Sequence, residues 1–365
     1  MKNKQIKQLK ILMLGDSLRR QGGIVTVEKL MLEQAPPNIQ IEHIGTVEDG
    51  SSIRKAALFW IALFKLLLYL LTKEVDIIHL HVAERGSAFR KSIITTLAKL
   101  VFKKPVILHS NSPEFHLFYE KLPQPIKQGL SWAFRKCDRF IAVSESWRNF
   151  YIKNLGLEPE QIVALANPIK LPEQVPLRKN SGKVSVVFLG RIGQRKGVFD
   201  LIQAFAMLPI EKKNRAELIL AGDGEVEKAR ELVESLNLTD YVTVFDWLDS
   251  EQRNTLLAKA DIFVLPTYNE GLPLALLEAM SWSLPVISTP VGGIPDIITQ
   301  NKNGLLVNPG DIKQLSEAIQ CLIESEDLRL SLGSVARESV TPFDVKNYFS
   351  SLMDIYQSIL GFSRS

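Results

Sequence analysis

The chain has 365 residues, 46% of them hydrophobic and 23% charged, which excludes disorder, collagen and small disulfide scaffolds. That length is more than one hydrophobic core usually serves, so two domains are expected. The net charge of +4 hides an asymmetry: residues 1–180 carry 27 Lys/Arg against 16 Asp/Glu, and residues 181–365 carry 17 against 24.

A basic front half suits an anionic partner, either nucleic acid or an acidic membrane surface, or is simply a solubilising surface. The only two cysteines, Cys137 and Cys321, lie far apart. They form neither a zinc ribbon nor a disulfide framework and suit a reducing compartment.

The basic start, 1–10, meets an apolar stretch, 11–14, that is too short for a secretory signal and runs straight into Gly15-Asp16. Residues 10–14 read as a buried strand. A loop with Gly22-Gly23 and a helix over about 24–34 follow. Further strands are expected at 39–44, 75–80, 105–109 and 139–143, with helical stretches between them, which makes a βαβ series and a parallel sheet. The second half repeats the plan, with strands at 184–189, 216–221, 241–245, 261–265 and 285–288. Its helices begin near Val198, Glu225, Ser250, Pro273 and Ile312. Two prolines and little periodicity mark 169–182 as a linker.

The fold class is therefore α/β, with two doubly wound Rossmann-like domains over 1–168 and 183–344. In such sheets ligands bind beyond the carboxyl ends of the strands, so the default site is the cleft between the domains.

Residues 56–71 (AALFWIALFKLLLYLL) stand apart, being apolar except for Lys65. Three readings compete. The segment is a buried crossover helix, a helix at the membrane interface with Trp60 and Tyr69 at headgroup level, or a true span. The last is disfavoured, because 16 residues fall short of the ~20 needed and the sheet would lose an element.

The most informative stretch is Asn269-Glu270-Gly271-Leu272-Pro273-Leu274-Ala275-Leu276-Leu277-Glu278-Ala279-Met280. Pro273 reads as the first-turn residue that opens a helix. Glu278 falls within that helix, where the pattern expects an apolar or small side chain. Carboxylates accept two directed hydrogen bonds from sugar or ribose hydroxyls, and loop amides at a helix start suit a phosphate. A second cluster, Gly190-Arg191-Ile192-Gly193-Gln194-Arg195-Lys196-Gly197, offers cations for a diphosphate but lacks the P-loop spacing. Gly222-Asp223-Gly224 alone is explained by a tight turn. His79 and His81 straddle a strand end and are expected on alternate faces, so a metal pair lacks support. His116 and His109 taken alone read as ordinary structural or surface residues.

Taken together, Gly190-Arg191, Lys196-Gly197, Gly222-Asp223-Gly224, Glu270, Glu278 and Gly292-Gly293-Ile294-Pro295-Asp296 resemble the retaining glycosyltransferases of family 4. The resemblance covers the whole second half. The first half fits more loosely, through Gly22-Gly23, His109 and Val143-Ser144-Glu145-Ser146. It implies the GT-B fold, in which two Rossmann-like domains face each other across a cleft and a last helix, 345–365, crosses back to the first.

The resemblance also implies roles. Arg191 and Lys196 would hold the diphosphate of a UDP- or GDP-linked sugar, and Glu278 would accept from the ribose. Glu270 would contact the transferred sugar, with Gly271, Leu272, Pro273 and Leu274 near sugar and phosphate. Trp247 and Leu248 would border the base. Gly22 and Gly23 would approach the phosphates, and His109 would face the sugar near the reacting carbon.

No Asp-X-Asp occurs, so no metal is expected and the two cations would do its work. No cofactor is expected either. The expected function is transfer of a sugar from a nucleotide-diphosphate sugar to a glycan or lipid-linked glycan in envelope or exopolysaccharide assembly. The expected location is cytoplasmic, with peripheral anionic membrane contact through 54–73. A sugar-nucleotide epimerase on the same fold and a non-catalytic subunit are the alternatives. Nucleic acid is not an expected partner, because the basic residues have no aromatic stacking platform.

Overall fold

The computed structural model describes residues 8–178 and 182–361. The first residues of the basic start (1–7), part of the expected linker (179–181) and the last residues of the closing segment (362–365) lie outside them. The chain divides into two compact units, Met1–Ile169 with Phe343–Ser365 and Lys170–Pro342.

The first unit alternates strand and helix. Its opening elements are β1 (Leu9–Gly15), α1 (Gly23–Glu33), β2 (Ile39–Gly45), α2 (Ser52–Thr72), β3 (Ile77–Val82) and α3 (Gly86–Leu100). There follow β4 (Val106–Ser110), α4 (Phe115–Glu120), α5 (Gln124–Phe134), β5 (Arg139–Ala142), α6 (Glu145–Leu155) and β6 (Ile162–Ala164). The strands form one parallel sheet in the order β2-β1-β3-β4-β5-β6. β3 and β4 are buried along their whole length, which is why they read as near-continuous apolar runs.

The second unit contains β7 (Val184–Leu189), α7 (Val198–Ala206), α8 (Ile210–Lys213), β8 (Ala216–Ala221), α9 (Val226–Ser235) and β9 (Val242–Phe245). It continues with α10 (Ser250–Lys259), β10 (Ile262–Leu265), α11 (Leu274–Ser281), β11 (Val286–Ser288), β12 (Leu305–Leu306), α12 (Ile312–Glu324) and α13 (Glu326–Val340). The strand order is β12-β11-β10-β7-β8-β9, again parallel. The sequence did not show β6 or β12, because three and two residues leave no periodicity to read.

The last helix, α14 (Val345–Leu360), returns to the first unit. It buries Val345, Tyr348, Phe349, Leu352 and Tyr356. The Tyr356 hydroxyl lies 2.9 Å from His79 Nδ1, and Ile169 and Val345 are joined by a backbone hydrogen bond.

Helix α2 corrects the reading of 56–71 as a buried crossover. Its inner stripe of Phe59, Ala62, Leu66 and Leu70 is buried. Trp60, Phe64 and Leu71 are more than half exposed. By length and composition alone the helix could cross a membrane. However, its buried stripe is part of the first unit's core. The observed state is a helix docked on one side and apolar on the other.

Candidate active site

At the centre of the second sheet β7 and β10 lie side by side, while β8 and β11 depart on opposite sides. That divergence opens a crevice beyond the carboxyl ends of the strands. Two loops meet there, one after β7 and one after β10. Lys196 and Glu270 form an ion pair across them. Arg195 Nη1 lies 3.7 Å from the same Glu270 oxygen and donates to the Asn269 carbonyl at 2.8 Å. Thr267 Oγ1 donates to Glu270 at 3.2 Å, and Tyr268 donates through its hydroxyl to Asp200 at 2.7 Å.

Glu270 is only 6% exposed, so its charge is held by named partners rather than by water. Gly292, with φ of +58°, supports the loop from behind: a Cβ there would stand 1.9 Å from the Glu270 carbonyl oxygen.

Arg191 is largely exposed and lies 3.9 Å from Asp223. A cavity of about 550 Å³ is lined by Gly222, Asp223, Gly224, Asp246 and Trp247, joining the second-half glycine turn to the expected base-bordering tryptophan. Leu248 is half-buried and is not part of that lining. Gly271, Leu272, Pro273 and Leu274 are buried. Pro273 occupies the N-cap of α11 and not its first helical position, so the helix opens one residue later than its sequence suggests.

Glu278 lies in α11 and pairs with Arg253 of α10 at 3.1 Å. Burial pushes its carboxyl above the usual carboxylate range, and Arg253 pulls it back down. Sequence reasoning missed Arg253. The available signal was a cation on the inner side of a helix flanked by the Trp247-Leu248 loop.

In the first unit, Gly22 caps α1 at φ +138°, and a Cβ on either Gly22 or Gly23 would meet nothing within 4 Å. The protein leaves that space open. His109 is wholly buried in β4. Its Nδ1 lies 3.2 Å from His79 Nε2, and its Nε2 has no partner among the described residues. Burial lowers its pKa to about 3, so its ring is neutral.

The expectation that His79 and His81 alternate faces is corrected. Two residues apart on a strand, they share one face, and their rings stack with centroids 5.0 Å apart. Burial also lowers both well below the ordinary histidine range. His79, His81 and His109 each offer a ligand-capable nitrogen within 4.8 Å of the others, in the neutral form that a metal needs. Among the described residues the trio has no carboxylate or thiolate beside it, and hydrogen bonds to Tyr356, between His79 and His109, and to Asn111 already engage four of its six nitrogens.

A second feature missed from sequence is Lys91 in α3, buried and donating to the Leu14 carbonyl at 2.9 Å and to Thr46 at 3.0 Å. Its position on the buried stripe Ala88, Lys91, Thr95 and Ala98 was the readable signal. Nearby Glu28 accepts from the Asp16 amide at 3.3 Å and lies 3.2 Å from His43 Nε2. Burial lowers Lys91 from 10.5 to about 7.

A depressed lysine pKa means that the folded protein binds fewer protons than the unfolded chain. The resulting stability is present above pH 10.5 and is lost as the pH falls towards 7. Urea unfolding of the wild type and Lys91→Met should therefore converge or diverge with pH. The wild type should gain about 2 kcal/mol on the variant between pH 7 and pH 9. A difference independent of pH would show that Lys91 is not depressed.

The family model for glycosyl transferases group 1 matches residues 171–339, and that for glycosyltransferase family 4 matches residues 11–172. An uncharacterized glycosyltransferase of Methanocaldococcus jannaschii is 27% identical over 288 residues, covering 72% of this chain and 71% of that one. The capsular polysaccharide biosynthesis glycosyltransferase CapM of Staphylococcus aureus is 30% identical over 60% of this chain and 61% of its own.

Among solved structures, sucrose-phosphate synthase of Thermosynechococcus elongatus superposes with a TM-score of 0.80 at 19% identity, covering 98% of this chain and all of that one. Anabaena HepE, solved with UDP and glucose, gives 0.77 at 18% identity, covering 96% of this chain and all of its own. With two parallel sheets of this order and both family models matched in succession, the chain belongs to the family 4 glycosyltransferases and has the GT-B fold.

Proposed function

We propose that the chain is a retaining, metal-independent glycosyltransferase. It would move a sugar from a UDP- or GDP-linked donor to a glycan or lipid-linked glycan in envelope or exopolysaccharide assembly. The observation that carries this reading is the Lys196–Glu270 pair at the divergence of β7 and β10, braced by Arg195 and Thr267. A glycosyl transfer through an oxocarbenium-like state needs its leaving group neutralised and its sugar held. Lys196 and Arg191 neutralise the departing diphosphate, which takes the acceptor's proton on the same face. Glu270 accepts from the sugar hydroxyls, Glu278 accepts from the ribose, and Trp247 borders the base. In the first unit, Gly22 and Gly23 leave open space at the start of α1, and His109 is buried in β4.

The polysaccharide context is supported by the capsular relative and by the N-acetylgalactosaminyltransferase of Campylobacter jejuni, whose substrate is a diphospho-undecaprenol. For the acceptor side, α2 offers an exposed apolar face bordered by Arg54, Lys55, Lys65 and Lys73, a charge pattern suited to an anionic lipid surface on the cytoplasmic side.

Incubation with isotope-labelled nucleotide sugars should place label in a membrane lipid extract, with the donor's anomeric configuration retained in the product. Label confined to soluble sugars would overturn the lipid acceptor, and an inverted product would overturn the mechanism. Trp60→Glu combined with Phe64→Glu should lower co-sedimentation with phosphatidylglycerol vesicles several-fold without changing the melting temperature. Undiminished binding would remove α2 from the membrane.

A further inference from the structure

Glu278 is the only charged residue of α11, and the helix otherwise buries Leu274, Leu276, Leu277, Ala279, Met280 and Ser281. A carboxylate in such a helix needs a partner, and Arg253 supplies it. The geometry of this pair is unusual for a structural ion pair. Arg253 Nη2 stands 3.1 Å from Glu278 Oε1, and Arg253 Nε is enclosed without a hydrogen-bond partner among the described residues. Burying two charges costs several kcal/mol per ion and is recovered only when the remaining donor and acceptor positions are filled. Here Arg253 Nε stays unfilled by the described residues.

The two side chains also retain about one-sixth of their exposure, 18% and 17%, so both can be reached by a ligand. The backbone that carries Arg253 is held by a cap. Asp249 and Gln252 form a reciprocal capping box at the start of α10, fixing the turn from which the arginine projects. The same turn follows the loop of Trp247, which lines the cavity beyond β8 and β9.

We propose that Arg253 is a positioning residue for nucleotide recognition, anchoring one oxygen of Glu278 so that the other is presented to the ribose hydroxyls of the donor. This rests on the reading of Glu278 as the ribose acceptor given above. A carboxylate tethered at one oxygen loses the rotamer freedom that binding would otherwise have to remove. It also meets a vicinal diol as an anion, the form that accepts from both hydroxyls. Without the cation, burial favours the neutral acid, which donates a proton of its own and no longer matches the diol.

Calorimetric titration with UDP and GDP, each beside its 2′-deoxy analogue, tests this. For whichever base binds, the wild type should prefer the ribonucleotide at least about tenfold, the value of one hydrogen bond to a charged group. Arg253→Leu should reduce that preference to about threefold or less while leaving deoxynucleotide affinity nearly unchanged, and Arg253→Lys should restore part of it. A purely structural role would lower the melting temperature and leave the ratio intact, and that result would overturn the proposal. If Arg253→Leu does not fold, Arg253→Gln keeps the length without the charge and carries the same ratio test. A wild type that binds a nucleotide without discriminating its 2′-hydroxyl would overturn the proposal while sparing the donor site. A wild type that binds neither nucleotide would overturn the donor-site reading as well.

Discussion

Lys196→Ala is expected to lower kcat about 10²–10³-fold, the loss typical when a donor to developing negative charge is removed from a catalytic site. The expectation follows from its position: its ammonium is mostly buried against Glu270 at the end of β7, where the low dielectric makes a cation count for more than in water. The fold should survive the change. Glu270 keeps the Thr267 hydroxyl at 3.2 Å and the Arg195 guanidinium at 3.7 Å, so its charge is not abandoned.

Glu270→Gln is the companion experiment. The amide oxygen can still accept from Thr267, while the charge is lost, so turnover should fall with little change in melting temperature. Initial rates with the nucleotide sugar that most raises the melting temperature would measure both. If both variants turn over within threefold of wild type, this pair of loops is not the catalytic centre.

Gly197→Ala should destabilise the protein by about 2–5 kcal/mol, which is large for a single methyl group. Two costs combine. Gly197 has φ of +69°, a left-handed conformation that costs an L-residue about 1–2 kcal/mol. The added Cβ would also lie 1.9 Å from the Pro266 carbonyl oxygen, so one backbone must move, at about 1–3 kcal/mol. Since Lys196 immediately precedes this contact and Pro266 precedes the loop of Glu270, any such movement also separates the ion pair.

Gly23→Ala is the contrasting case. Gly23 is the first residue of α1, its φ is not left-handed and the space around it is open. Stability should change by less than about 0.5 kcal/mol, but donor KM should rise if phosphate comes close. Urea denaturation separates the two variants. A Gly197→Ala midpoint like that of the wild type would show that the two loops are not rigidly joined.

The strands of both sheets were legible because central parallel strands bury both faces and therefore appear as short Val/Ile/Leu runs. β6 and β12 were too short to carry any such pattern. Glu270 and Glu278 were legible as carboxylates set among apolar residues, and Lys196 as part of a glycine-flanked basic turn. Their partners were not. The inward position of Arg253 on its helix was readable, but its meeting with Glu278 was not, because that contact depends on how α10 and α11 pack on the sheet. Lys91 could be placed on the inner stripe of α3, but Glu28 was hidden, one polar residue in a helix that only burial sets apart. The histidines show a simpler failure, since the strand period of two puts His79 and His81 together and so determines the neighbours of His109.

Helix α14 has a consequence for biosynthesis. The second unit is a continuous stretch of chain, whereas the first needs residues made after the second is complete. A nascent chain emerging from the ribosome therefore exposes the surface that Tyr348, Leu352 and Tyr356 will cover until the 173 residues of the second unit and then α14 itself have been translated. During that interval the early half keeps apolar surface uncovered, and it is sealed only when the tail arrives.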